Sequence, residues 1–280
     1  MYAHRGGAAL RPENTIISFD HGLSLGADGL ELDVRLSRDG VAVVHHDASL
    51  DRTTGARGLL ADRTADELAK VDAGYWFEAA DRLAGPKSDP GRGSGEYPFR
   101  GQGIGIPALR DVLVRYPTAS FIIELKVNQA ELARCVIEEV RRAGAVERVA
   151  LGSFGWRVLH AIRDLEPRIP TGAAREEVRW ALYRSWVHWP LRVPRYREFQ
   201  VPEQAGTTRI ITPRFIEHAH RAGLPVKVWT VNEPADMQRL LDWGVDALIS
   251  DRPDLAVAAV KSRQRSGETH RGSRPRNHAY

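Results

Sequence analysis

Between residues 29 and 36 the chain alternates strictly, with Leu30, Leu32, Val34 and Leu36 on one face and Glu31, Asp33 and Arg35 on the other, which is the period of a β-strand. The same reading gives a short strand over residues 1–4 that stops at Arg5-Gly6-Gly7. Pro12-Glu13-Asn14-Thr15 then opens a helix carrying Ile16, Ile17, Phe19, Leu23 and Leu25, and Gly26 ends it. Ser37-Arg38-Asp39-Gly40 predicts a turn, residues 41–46 a returning strand, and residues 47–70 a long loop with a helix near Thr64. Further strands are predicted over 120–126 and 149–154, near 171–173 and 198–202, and over 226–231 and 247–250. Helices fall between them, at 107–116, 129–142, 156–165, from Glu176, around 213–222 and over 234–243.

About eight strands alternating with helices predict an α/β fold, a TIM (β/α)8 barrel, in preference to a doubly wound sheet, which has a topological switch and fewer strands. Residues 85–105, rich in Gly, Pro and Ser, read as a surface insertion because the alternation resumes after them. The expected organisation is one catalytic domain over residues 1–257, with an insertion at about 47–106 after the second strand region, and a disordered tail over 258–280. His4, Glu31, Asp33, His46, Glu124, Lys126, Trp229 and Asp251 all fall at or near the C-terminal ends of predicted strands. In a barrel those ends share one mouth, where active sites are built.

The net charge of +4 is misleading as a guide to partners. Residues 261–280 hold six Lys/Arg and one acid, net +5, so residues 1–260 carry about −1 and no nucleic-acid partner is expected. No apolar run approaches the roughly 18 residues that cross a bilayer, and no secretion segment precedes the first strand, so the expected location is cytoplasmic. The lone Cys135 lies in a helical pattern and reads as a small buried hydrophobe. Two stretches are candidates for peripheral membrane contact: the basic tail and residues 180–196, where Trp180, Tyr183, Trp186, Trp189 and Tyr196 mix with Arg184, Arg192 and Arg195. A solvated tail, and a helix packed on the barrel with its Arg stems over apolar surface, are the preferred readings of the two.

Glu31 and Asp33 project from one strand face roughly 6 to 7 Å apart, and Glu124 arrives from another strand. Three carboxylates suit one hard divalent cation, Mg²⁺ or Ca²⁺, better than zinc. Beside it, His4 and His46 are candidate general acid and base, and Arg5 and Lys126 candidate phosphate ligands. His45 and His46 point to opposite faces, so at most one enters the mouth, and Asp47 either orients an imidazole or caps the loop. Trp229 by itself reads as a core aromatic.

The ordered set His4-Arg5-Gly6, Pro12-Glu13-Asn14-Thr15, Glu31-Leu32-Asp33, His46-Asp47 with Leu50-Asp51-Arg52-Thr53-Thr54-Gly55, Glu124-Leu125-Lys126 and Trp229-Thr230-Val231-Asn232 resembles the glycerophosphodiester phosphodiesterase family. The resemblance covers residues 3 to about 255 and selects His46 over His45. It implies a TIM-type barrel with a family-specific insertion, a cation at Glu31, Asp33 and Glu124, acid/base histidines at His4 and His46, phosphate contacts from Arg5 and Lys126, and Trp229 on the glycerol side. The expected function is metal-dependent hydrolysis of small glycerophosphodiesters to glycerol 3-phosphate and an alcohol. The alternatives are a lysophospholipase D-like enzyme working on lysophospholipids at a membrane surface, and a non-catalytic barrel that binds phosphoesters or lipid.

Overall fold

Short apolar runs punctuated by capping residues, Gly and Pro fold into parallel staves and the helices that cover them. The computed structural model describes residues 1–78, 97–191 and 194–272. In chain order its elements are β1 (Tyr2–His4), α1 (Ile16–Ser24), β2 (Gly29–Leu36), β3 (Ala42–Val44), α2 (Ala65–Leu68), α3 (Leu109–Arg115), β4 (Ser120–Leu125), α4 (Ala130–Arg142), β5 (Val149–Gly152), α5 (Trp156–Leu165) and α6 (Arg175–Trp186). There follow β6 (Phe199–Pro202), β7 (Gln204–Ala205), β8 (Thr208–Arg209), α7 (Pro213–Arg221), β9 (Val226–Trp229), α8 (Pro234–Trp243), β10 (Ala247–Ser250) and α9 (Pro253–Gly272). Caps fix the boundaries: Thr15 closes a capping box with Ser18 at α1, and Thr212 with Pro213 starts α7.

The staves run β5-β4-β2-β1-β10-β9-β6, with parallel pairing throughout that path. Residues 171–173 close the gap between β5 and β6 through single-residue parallel bridges, Leu151 to Thr171 and Gly172 to Glu198. Four backbone hydrogen bonds hold that seam, from the amides of Leu151, Gly172, Ala173 and Arg197 at 2.9–3.1 Å. The result is a nearly closed (β/α) barrel, as the alternation of elements predicts. The returning strand of residues 41–46 is the shorter β3, an antiparallel hairpin partner of β2 lying outside the ring.

Outward-facing Leu30, Leu32 and Val34 of β2 pack under helices α1, α3, α4 and α5, and Phe199, Val226 and Val228 pack under α6, α7 and α8. The opposite faces point inward, where Ile122, Ala150 and Ile249 fill the barrel floor. Val43, Leu50, Leu60, Leu68, Ala73 and Ile106 form a separate small core beneath the segment that follows β3. Of the predicted insertion, residues 79–96 lie outside the described residues.

Where the composition from residue 258 onward reads as a solvated tail, the chain continues as α9 to Gly272. Ala256 and Val257 are buried, Ala259 and Val260 pack on the same cluster, and Arg263 pairs with Asp242 of α8 at 2.9 Å. The last eight residues, 273–280, lie outside the described residues. Among the described residues no helix is long and apolar enough to cross a membrane.

Candidate active site

The turn after β1 is built from three consecutive residues with positive φ, Arg5 (+50°), Gly6 (+86°) and Gly7 (+107°). A Cβ on Gly6 would lie 2.3 Å from Ser18 Oγ, so glycine there serves both the dihedral and the close approach of α1. The left-handed Arg5 turns its amide onto Glu31 Oε2 at 3.1 Å. Strand register does the rest: His4 lies beside Glu31, and Asp33 beside Glu124.

Glu31, Asp33 and Glu124 each offer an oxygen within 4.8 Å of the others. Burial pushes the Glu31 carboxyl up to about 8; the neighbouring charges of Asp33 and Glu124 add to this, against His4 and Arg5. Burial also raises Asp33, but the charges of Arg5 and Lys126, with smaller contributions from His46 and the Asn14 amide, outweigh it and hold that carboxyl below its ordinary range. Asn14 donates Nδ2–H to Asp33 Oδ2 at 2.8 Å and accepts the Asp33 amide at 3.2 Å. Arg5 Nε and Lys126 Nζ stand 3.1 and 3.4 Å from the Asp33 oxygens, yet neither contact has hydrogen-bond geometry, and Asp33 Oδ1 is a buried acceptor with no donor among the described residues. An all-oxygen donor set with an orphaned carboxylate oxygen and a neighbour driven toward its neutral form fits a hard divalent cation.

The two predicted histidines flank this cluster, each tied by Nδ1 to a carboxylate. His4 Nδ1 donates to Asp251 Oδ1 at 2.6 Å, because a carboxylate can only accept, and Nε2 faces Glu31 at 3.7 Å. Asp251 is itself fixed by Asn232, whose Nδ2–H reaches its Oδ2 at 2.8 Å and whose Oδ1 accepts its amide at 2.9 Å. Burial pulls the His4 imidazole down, while Glu31 and Asp251 raise it by more, so its net shift is upward. His46 Nδ1 meets Asp47 Oδ1 at 2.5 Å, and Arg35 holds the His46 carbonyl at 2.8 Å. Asp47 is gripped by Arg52 at 2.5 Å, Arg52 forks onto Glu13 at 2.8 and 2.7 Å, and Glu13 accepts from Arg5 at 3.0 Å. That relay ties the turn after β3 to the turn after β1. Although burial raises the Asp47 carboxyl, Arg52 and His46 hold it well below the usual carboxylate range.

His4, Arg5, Glu31, His46, Glu124, Lys126 and Trp229 line one cavity of about 580 Å³, with Asp33 buried beneath it. The eight candidate site residues, His4, Arg5, Glu31, Asp33, His46, Glu124, Lys126 and Trp229, are thus brought to one mouth. His45 is instead buried with its Nε2 3.2 Å from the Ser49 carbonyl, so the imidazole at the mouth is that of His46. Trp229 stands edge-on to Phe154 at 5.8 Å. Lys126 Nζ donates to Glu124 Oε1 at 3.1 Å. Sequence reading noted Asp251 only as a strand-end residue and gave no role to Glu13, Asn14, Arg52 or Asn232. All four lie inside the quoted motifs, which was the available signal.

The aromatic stretch divides. Trp180, Tyr183, Trp186 and Trp189 are exposed, whereas Tyr196 is buried against Phe199. Arg184 is bonded to the Pro190 carbonyl and Arg195 to Asp164, and Arg192 lies outside the described residues.

The model of the glycerophosphoryl diester phosphodiesterase family matches residues 4–255. The chain is 30% identical over 266 residues to a glycerophosphodiester phosphodiesterase of Caldanaerobacter subterraneus, covering 93% of this chain and 97% of that one. It is 30% identical to a glycerophosphodiester phosphodiesterase of Bacillus subtilis, over 90% of this chain and 83% of that one. The crystal structure of a glycerophosphodiester phosphodiesterase from Agrobacterium tumefaciens superposes with a TM-score of 0.71 at 27% identity, over 93% of this chain and 98% of that one. With the ordered motifs converging on one barrel mouth and a family match spanning that whole barrel, the chain belongs to the glycerophosphoryl diester phosphodiesterase family.

Proposed function

We propose that this protein hydrolyses glycerophosphodiesters to glycerol 3-phosphate and an alcohol, with His4 and His46 as the acid/base pair. The observation that carries this is the pairing of each imidazole with its own carboxylate on either side of a three-carboxylate cluster. Each Nδ1–H is taken by Asp251 or Asp47, which leaves Nε2 free to move a proton at the reacting oxygens. One imidazole removes the proton of the attacking oxygen, water or the glycerol 2-hydroxyl. The other protonates the departing alkoxide.

Glu31, Asp33 and Glu124 are the residues that would hold a divalent cation, Mg²⁺ or Ca²⁺, which when bound supplies Lewis-acid polarisation of the phosphoryl group. Arg5 and Lys126 carry positive charge at the cavity wall and compensate phosphate oxygens. Trp229, with Phe154 against it, offers a flat apolar wall for the glycerol backbone. The presence of both histidines and all three acids favours this reading over a binding-only barrel.

A second reading, cleavage of lysophospholipids at a lipid surface, draws on the exposed Trp180, Tyr183 and Trp186 of α6 and Trp189 just after it. The test is turnover of glycerophosphodiesters and of lysophospholipid micelles by the purified protein with added Mg²⁺ or Ca²⁺. Soluble diesters are expected to be cleaved, with loss of activity in EDTA and in Glu124→Ala. Activity that survives both would refute the carboxylate assignment, and a strict preference for micelles would transfer the conclusion to the second reading.

A further inference from the structure

The cavity is electrically lopsided. At the β1, β2 and β4 side its charged wall mixes acids with cations, but among its lining residues elsewhere the only charged side chains are Arg175 and Arg179. Both belong to α6, which grows directly out of the stave at residues 171–173. Counting round the ring from β1 as the first stave, residues 171–173 form the fifth of eight, so α6 rises diametrically across from His4 and Arg5. Separated by four positions, the two arginines lie one helical turn apart on the same side, as do Val178 and Leu182 of the same cavity wall.

Neither guanidinium has a carboxylate partner among the described residues. Arg175 stands over the Phe154 ring at 5.6 Å, and Phe154 in turn meets Trp229, so an aromatic rail runs from Trp229 to this arginine. Glu177, the acid of the same turn, is committed to Arg163 by two hydrogen bonds at 2.8 and 2.9 Å and to the Ala174 amide at 2.7 Å. Glu176 does not line the cavity. A molecule that spans the cavity with its phosphodiester at the carboxylate pole therefore presents its far end to two uncompensated positive charges.

We infer that Arg175 and Arg179 form a leaving-group subsite that selects glycerophosphodiesters whose alcohol carries its own anionic group and disfavours those whose alcohol is a quaternary ammonium. The inference rests on the proposed diesterase activity and names its substrate class. Because both arginines are solvent-facing, their effect is screened, and discrimination of about tenfold is expected, equivalent to ~1.4 kcal/mol. The selection acts on binding, so it lies in KM and not in kcat.

The experiment compares kcat and KM for glycerophosphoglycerol, glycerophosphocholine, and two anionic probes, glycerophosphoglycerol bearing a terminal phosphate and glycerophosphoglycerate bearing a carboxylate. Each is assayed with the wild type and with the Arg175→Gln/Arg179→Gln double variant, at low and high salt. The wild type should favour the anionic probes, most strongly at low salt, and the double variant should lose about tenfold in kcat/KM on them through KM, stay within twofold on glycerophosphoglycerol, and gain on glycerophosphocholine. A response to the phosphate probe alone would mark the subsite as one for a phosphorylated alcohol, and a response to both as one for anions in general. Equal loss on every substrate, or a wild type indifferent to leaving-group charge, overturns the inference while leaving the diesterase reading standing. No turnover of any of the four diesters by the wild type sinks both.

Discussion

Asp251 decides which nitrogen of His4 faces the cavity. Its Oδ1 accepts from Nδ1 at 2.6 Å, and Asn232 keeps the carboxylate in that pose. Asp251→Asn preserves the shape but lets the amide donate, favouring the opposite tautomer, so steady-state kinetics should show kcat lower by about 10²-fold or more with KM little changed. A loss confined to KM would contradict the positioning role. Glu31 makes a separate prediction about pH. In the folded, metal-free protein its carboxyl holds a proton up to about 8, against 4.5 when free. The folded state therefore binds more protons through that window, and stability is full below it and declines as pH rises through it. Urea unfolding of metal-free protein should become easier between pH 5 and pH 8, and Glu31→Gln, which cannot titrate, should flatten the decline. The stabilisation that a divalent cation confers should be larger at pH 8 than at pH 5, because the cation competes with that proton. An unchanged slope in the variant would assign the effect to other groups.

At the scale of elements, the turn after β1 is closely constrained. Gly6→Ala combines a φ of +86° with a Cβ 2.3 Å from Ser18 Oγ, and α1 must shift to admit it. The expected cost is about 1–3 kcal/mol of stability, read from denaturant unfolding, together with loss of activity as the Arg5 amide leaves Glu31. Full activity in that variant would show that α1 yields without moving the site. Much of this level was legible beforehand. Period-2 alternation around Leu30 and Glu31 located β2 and aimed its acids inward, and Thr15 and Pro213 marked helix starts. α9 was hidden because Lys261, Arg263 and their polar neighbours resemble a solvated tail, while the burial of Ala256 and Val257 that anchors it depends on packing against α8, β1 and β10. The hairpin of β7 and β8 is two residues a side, too short for any period to register. The roles of Asp251, Arg52 and Glu13 were hidden for a different reason. Their partners are chosen by folding across 247, 5 and 39 positions, and composition carries no trace of that pairing.

Across the whole molecule the ring of staves is not uniformly paired. β2 and β4 register over six residue pairs, whereas the seam at residues 171–173 is held by single bridges to β5 and β6. Local opening follows hydrogen-bond density, so the amides of Gly172, Ala173 and Arg197 should exchange with solvent before those of Leu32, Asp33 and Ile123, a difference measurable by native-state hydrogen exchange. Equal protection would mean that the seam opens only with the whole barrel. The family resemblance of the sequence anticipated the barrel and the clustering of the acids and histidines, and the motifs of β1, β2 and β4 are where that resemblance was densest.

The position of that seam separates two mechanical tolerances. The densely paired staves β2 and β4, which carry the carboxylates, with β1 and its His4 beside them, form the more tightly registered side of the mouth. The thinly bonded stave opposite carries α6, which is therefore the side of the mouth held by fewer backbone bonds. If α6 faces the alcohol as inferred, such a barrel has its room for variation at the alcohol end and its rigidity at the phosphate end.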